Sequence, residues 1–545
     1  MASVTPWTRA FAGRERRRPA PLLSRSCLGP ILCGAVLIGI ACQAGPPPDP
    51  KPTGPAPSDA PTPTAAASRI PTGGTLRVGV PIDIGLLDPA GGDVVAEPIH
   101  RQLFEGLVQP LGDRVVGRLA TAWTVAADGR TWTFTLREGV VFHDGTSFDA
   151  AAAARSLTRL IDRPGGVDPV LDSAVATGPT TLTVTLRTAF APFLRLLGTP
   201  RYAIVQSARP SVGTGPFLLV PGTELARPLV LERNPAYWRT DAAGRALPYL
   251  DRVVFQAYPD ATAGAAALRS GAVDLVTELS IGDVPTVRAD PSLQLVARPA
   301  VTILSLAMNL AQPPFDDLRI RQAVAAAVNR RALVDRLYAG AGSPATQFLP
   351  PSTLGYDDSI AEFSRNDPGA AKKLLAEAGK PAFEIDLWYV QGMSPAQPDA
   401  RRVAESIAAE LAAVGITAVL KTIDPVTFVL SARDNRYALW LDSTTLTAGD
   451  PDEILGRLFI PPVVGGRDGP TTGGAWTDRE AAGLLRKART EPDESKRSEL
   501  YKQVTKIVQL RIPRVPLVWS AAPAAATRKV IDPLAFWSGA AAIGK

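Results

Sequence analysis

Apolar positions along this chain follow two rhythms in turn, every second residue over short runs and every third or fourth over longer ones. The first rhythm predicts strands at 75–80, 304–309, 383–390, 416–423, 437–441 and 515–519. The second predicts helices at 148–162, 317–328, 368–378, 399–414 and 494–510. The clearest of these is 399–414. Val403, Ile407, Leu411 and Val414 form its inward stripe, Arg402, Glu405 and Glu410 face water, and Gly415 stops it. In 494–510 the inward stripe is Leu500, Val504, Ile507 and Val508. Between 123 and 136, Trp123 and Val125 alternate on one arm and Trp132, Phe134 and Leu136 on the other. Asp128-Gly129 supplies the turn of a hairpin. Strands alternating with helices, without an internal repeat, predict an α/β body. The length of the chain predicts more than one lobe.

The pattern is different before residue 73. Residues 43–72 are rich in Pro, Ala, Thr and Ser and bury too little apolar surface to offset chain entropy, so they read as an extended stalk. Ahead of them, six arginines precede the apolar run 31–41, which is too short to span a bilayer, where roughly 20 apolar residues are needed. A basic flank, a short apolar core and a small residue mark residues 1–41 as a secretory signal. Gly39-Ile40-Ala41-Cys42 resembles a bacterial lipobox, with Gly39 where an aliphatic residue is usual. Cys42 is therefore the candidate lipid-attachment residue of an extracytoplasmic, membrane-anchored protein. The alternative is an ordinary signal or short anchor with an incidental cysteine.

Composition narrows the chemistry. Cleavage before Cys42 removes six of 58 basic and one of 52 acidic residues, leaving a net charge of +1. That charge does not favour nucleic acid as a partner. All three cysteines lie within the first 42 residues, so the mature body is expected to hold no disulfide and no cysteine-ligated metal. The chain has two histidines, His100 and His143, in unrelated contexts, and no HExxH, GxSxG or paired CxxC. Neither a catalytic residue nor a cofactor is expected. His143, in Phe142-His143-Asp144-Gly145, reads as a turn residue and not a metal ligand. Gly213-Thr214-Gly215-Pro216 begins like a dinucleotide fingerprint but lacks the third glycine, and reads as a structural turn. The P-loop-like ending 539–545 stops before the hydroxyl residue that would hold magnesium, and reads as a tail.

Several separated segments resemble, in order, those of the family 5 extracellular solute-binding proteins of ABC importers, the dipeptide, oligopeptide and nickel-binding group. They are Gly73-Gly74-Thr75-Leu76-Arg77-Val78 with Leu87-Asp88-Pro89, Leu103-Phe104-Glu105-Gly106-Leu107, and Trp132-Thr133-Phe134 running to Phe142-His143-Asp144-Gly145. Gly213-Thr214-Gly215-Pro216-Phe217, Glu232-Arg233-Asn234-Pro235, Gly271-Ala272-Val273-Asp274, Pro314-Phe315-Asp316-Asp317 and Ala370-Ala371-Lys372-Lys373-Leu374-Leu375 follow. The resemblance implies a periplasmic-binding-protein type II-like fold: two α/β lobes joined by hinge strands, with a subdomain inserted in the first. It divides the chain into a signal at 1–41 and a stalk at 42–72. The first lobe follows at 73–115, its inserted subdomain at 116–212 and its second part at 213–303. The second lobe is 304–514, and 515–545 is a return strand and tail. The crossings between lobes are expected at 304–309 and 515–519. The implied activity is binding without bond breaking. A monomer would capture a solute, with a peptide as the default, and deliver it to a permease. Receptors for nickel chelates, sugars or opine-like solutes, or an extracellular hydrolase on the same scaffold, are the alternatives.

In peptide-binding members an aspartate three residues before Asp-Pro-Asp pairs with the ligand's amino terminus. Here Asp450-Pro451-Asp452 matches that motif, and Thr447 stands at the pairing position. Asp442 is the substitute anion, and turn capping is the competing role for Asp442 and Asp450. Trp388, Tyr389 and Trp440, near the ends of second-lobe strands, are cleft candidates, with core packing as the other explanation. Phe348 and Thr445 complete the set.

Overall fold

The computed structural model describes residues 71–537 apart from 82–86, 92–95, 113, 163–167, 221–227, 361–364, 392–395, 432–435 and 461–473. Cys42, the signal, the stalk up to residue 70 and the P-loop-like tail therefore lie outside the described residues.

Two large mixed sheets organise the chain. The first has seven strands and is built around Thr75–Val80, which pairs in parallel with Arg252–Ala257 and Leu275–Val276. The late strand Ala524–Thr527 joins it between Leu275–Val276 and Leu293–Val296. The second sheet has six strands in the order Gly342–Pro344, Arg514–Ser520, Thr302–Met308, Leu439–Thr445, Phe383–Val390 and Ile416–Ile423. A separate four-stranded antiparallel sheet, made of Ala120–Val125, Thr131–Leu136, Thr181–Leu186 and Leu171–Ala176, carries the hairpin. Val125 faces Trp132 across that hairpin, and Asp128 closes its turn by accepting from the Arg130 and Thr131 N–H groups.

Most helices start where the pattern puts them, because an aspartate caps each one. Asp149, Asp317, Asp367, Asp399 and Asp493 all accept from main-chain N–H groups of the first turn. Glu410 differs from its expected water-facing role. It is half-buried and accepts from the Asn329 N–H at 2.7 Å, and burial raises its pKa. In Glu494–Arg511 the inward face is also rotated. Arg497, Tyr501, Val504 and Val508 are buried, while Leu500 and Ile507 are only partly so.

The segments 304–309 and 515–519, expected as crossings, are the interior of the second sheet. Thr302–Met308 and Arg514–Ser520 are buried along their whole length and pair with one another. Continuous apolar runs of this kind suit strands covered on both faces. The chain instead passes between the two sheets at 297–301 and 521–523, where neither segment belongs to a strand.

The turn at Gly213 and Gly215 is structural for a steric reason. A Cβ on either residue would run into the main chain of Leu103, whose carbonyl accepts from the Gly215 N–H at 3.0 Å. His143 ties the hairpin subdomain to this turn. Its Nε2–H donates to the Gly215 carbonyl at 3.0 Å, and its Nδ1 accepts from the Gly213 N–H at 3.3 Å. The bond to Nδ1 needs that nitrogen unprotonated, so the two together require a neutral ring. Burial lowers the pKa from 6.5 to about 4, against the pull of the Gly215 carbonyl and Asp144. Below about 6.5 the unfolded chain takes up a proton that the folded chain refuses. The stabilisation is therefore complete above that pH and falls by about 3 kcal/mol as the pH drops toward 4. Melting curves between pH 7 and 4.5 should show a shallower pH slope for His143→Gln than for the wild type.

Candidate functional site

The second sheet sets out the candidate site. Phe383–Val390 and Leu439–Thr445 run parallel, and a crevice of about 260 Å³ opens at the carboxyl end of the first, beside Leu441 and Ser443 of the second. Ligands in open α/β sheets collect at such positions. Leu304, Val390, Leu441 and Val403 form its apolar wall, and Gln391, Gln397, Ser443 and Asp399 add polar groups. Gln397 is held on both sides, accepting from the Tyr338 hydroxyl and donating to Ser520 Oγ at 3.3 Å. Asp399 accepts from the Arg401 and Arg402 N–H groups, so its carboxylate caps the helix Ala400–Ala412.

None of the eight residues singled out from the sequence lines this crevice. Asp442 does not offer a free anion. It pairs with Arg514 Nη1 at 2.6 Å, and the two side chains are 2 % and 3 % exposed. Burial pulls the Arg514 guanidinium below its ordinary pKa, while Asp442 pushes it back up. Trp440, on the same strand, packs with Ala307, Val390, Phe428 and Tyr437, and the Arg514 guanidinium lies 5.5 Å from its ring centroid. Trp388 is half-buried against Tyr437, and Tyr389 belongs to the core on the opposite face. Phe348 packs edge-on against Phe459 at 5.1 Å, deep under the sheet. Thr445 ends its strand with its hydroxyl 3.0 Å from that of Thr302.

The loop after Thr445 is built from within. Glu453 accepts from the Thr447 N–H and hydroxyl and from the Ala448 and Gly449 N–H groups, at 2.7–3.3 Å. Asp450 accepts twice from Arg497 Nη2, at 2.9 and 2.7 Å, and caps the turn at Asp452. Asp452 in turn accepts from Arg489 Nε at 2.9 Å. Burial raises the pKa of Asp452 even with Arg489 beside it. For Arg497 burial works downward but is outweighed by Asp450 and Tyr501, which hold the guanidinium above its ordinary value. The Asp-Pro-Asp motif therefore clamps this loop to the helices Arg479–Thr490 and Glu494–Arg511.

The clamped loop meets the first lobe. The Ala191 N–H donates to the Arg489 carbonyl at 2.6 Å. A Cβ on Gly449 would come within 3.5 Å of Arg195. Near the crossings, Arg288 donates to the Ala339 carbonyl at 2.8 Å, a second contact between the lobes. The sequence holds no local signal for Gln391, Gln397 and Ser443. Only their shared place in the crevice identifies them.

Residues 114–465 match the family described as "Bacterial extracellular solute-binding proteins, family 5 Middle", and the chain belongs to that family. Its fold is the type II periplasmic-binding-protein arrangement of two α/β lobes. It is 29% identical to the di/tripeptide-binding protein 1 of Pseudomonas aeruginosa over 78% of this chain and 84% of that protein. It is 30% identical to the heme-binding protein A of Haemophilus influenzae over 74% of this chain and 78% of that protein. Among solved structures, HbpA2 of Haemophilus parasuis superposes with a TM-score of 0.75 at 27% identity, covering 84% of this chain and 96% of that one.

Proposed function

We propose that this protein is the lipid-anchored capture receptor of an ABC importer, taking a small solute between its lobes and delivering it to a membrane permease. The observation that carries this reading is the pair of short crossings, 297–301 and 521–523, linking two separately cored sheets, the second of which holds a partly polar crevice. Two short links let the lobes rotate as units. Solute touched from both sides favours the closed form. Family membership supports the partnership with a permease, and the apolar run ending at Cys42 supports the lipid anchor. An acylated Cys42 would raise the receptor's effective concentration near its permease. Intact mass of the membrane-extracted protein tests the anchor: the expected product begins at Cys42 with added acyl chains.

Peptide is the first cargo class, in line with the di/tripeptide-binding relative. A solute without a free ammonium group is the second, and one observation favours it. Asp442 is paired with Arg514, and Thr447, at the amine-pairing position, is bonded to Glu453. The heme-binding relative fits this second class. Native mass spectrometry of freshly purified protein, followed by melting curves with free dipeptides, N-acetylated dipeptides and haemin, separates the two. A cognate solute at about 100 times its Kd should stabilise the fold by about 2.7 kcal/mol. Chemical turnover of the retained solute would overturn the receptor reading.

A further inference from the structure

A second cavity lies at the Gly342–Pro344 edge of the six-stranded sheet. It has a volume of about 340 Å³ and sits where the strands Gly342–Pro344 and Arg514–Ser520 meet the chain crossings. Its walls come from every part that must shift when the lobes turn. Val284 and Arg288 belong to a first-lobe helix, Ala297 and Arg298 to one crossing, Gly340 to Ser343 to the second lobe, and Ala521 to Pro523 to the other crossing. The volume is within the range of small-molecule sites, roughly 300–1,000 Å³.

The chemistry of the walls is cationic. Arg288 makes one hydrogen bond, from Nη2 to the Ala339 carbonyl at 2.8 Å. Arg298 makes one long hydrogen bond, from Nη1 to the Ala522 carbonyl at 3.4 Å, and stacks 4.8 Å from the Trp537 ring centroid. A guanidinium carries several N–H donors in a planar fork, so both side chains keep donors beyond those used. The carboxylates that act on Arg298 electrostatically are Glu97 and Glu278. Neither lines the cavity, and Glu97 is held by Arg101. Backbone and small side chains at Gly340, Gly342, Ala521 and Ala522 line the same cavity as the two arginines and leave room in it for a group of few atoms.

We propose that this hinge cavity is a binding site for a small oxyanion, a carboxylate or phosphate group, held by Arg288 and Arg298, and that its occupancy biases the angle between the lobes. Arg288 is carried by the first lobe and already bonds a second-lobe carbonyl, while Arg298 sits on a crossing and bonds the other crossing. An anion bridging them joins all four wall segments in one geometry. It therefore favours the lobe angle that keeps them together, and by linkage it changes cargo affinity.

The test uses the full-length mature protein without cargo at low ionic strength. Isothermal titration with inorganic phosphate and, separately, with malonate should show saturable one-site binding for at least one of them, and the pair of titrations tells a phosphate site from a carboxylate site. Arg288→Gln combined with Arg298→Gln should weaken that binding by about tenfold or more. Arg288→Gln alone, at an exposed position, should fold as the wild type does and show part of the loss. Small-angle scattering should change on adding the bound anion. Absence of saturable binding for both anions, equal affinity in the double variant, or binding that leaves the scattering profile unchanged would each overturn the proposal. Because cargo is absent, these outcomes do not depend on which solute the crevice takes.

Discussion

Replacing Asp442 by alanine is expected to destabilise the second lobe by about 3–5 kcal/mol, because it removes the carboxylate that pairs with the buried Arg514 guanidinium. The pair lies in the middle of the six-stranded sheet, with 2.6 Å between Arg514 Nη1 and Asp442 Oδ2. Asp442→Asn keeps the shape and one acceptor but not the charge, so its loss should be smaller. Replacing both partners with apolar residues of similar volume, Asp442→Leu with Arg514→Met, should recover most of the loss. Urea unfolding followed by fluorescence reads this directly, since Trp440 packs beside the pair. An Asp442 that bound a cargo ammonium would behave in the opposite way. Asp442→Asn would then leave the unfolding midpoint in place and lower cargo affinity alone.

Asp450→Ala carries the second large effect. Arg497 is buried and bonded through Nη2 to both Asp450 oxygens, so removing that carboxylate should again cost about 3–5 kcal/mol. The consequence reaches further than stability. The loop Asp450 clamps also brings Gly449 to Arg195, and Arg489, which binds Asp452, offers its carbonyl to Ala191 of the first lobe. Loosening the clamp should therefore weaken cargo binding by about tenfold, or 1.4 kcal/mol, through loss of the contacts with Ala191 and Arg195. Thr447→Val is the contrasting variant. It removes one exposed hydroxyl bond to Glu453 and leaves the N–H bonds of the loop in place, so a loss of about 1 kcal/mol or less is expected. Equal effects from Asp450→Ala and Thr447→Val would show that the clamp does not organise the loop.

These two aspartates also show where reading the chain stops short. The strand expected at 437–441 runs from Leu439 to Thr445. Its second half, Asp442-Ser443-Thr444-Thr445, is polar and so looks like loop, yet Arg514, 72 residues later, makes a buried charge tolerable there. The helix Glu494–Arg511 turns Arg497 and Tyr501 inward for the same kind of reason. Their partner, Asp450, lies 47 residues before Arg497 and belongs to another element. Glu410 is turned from water by the Asn329 N–H, 81 residues earlier.

What the residue order determined unaided is local. Strand and helix periods, aspartate caps and turn glycines placed most of the elements above within a few residues, because each depends on neighbours within one or two turns. The ordered motifs extended this to the family and its two lobes. The tertiary structure alone decided which carboxylates are paired, which aromatics are core, and where the chain crosses between the lobes. Those outcomes depend on groups brought together from far along the chain, and the energy of a buried charge is set by the partner it meets in space.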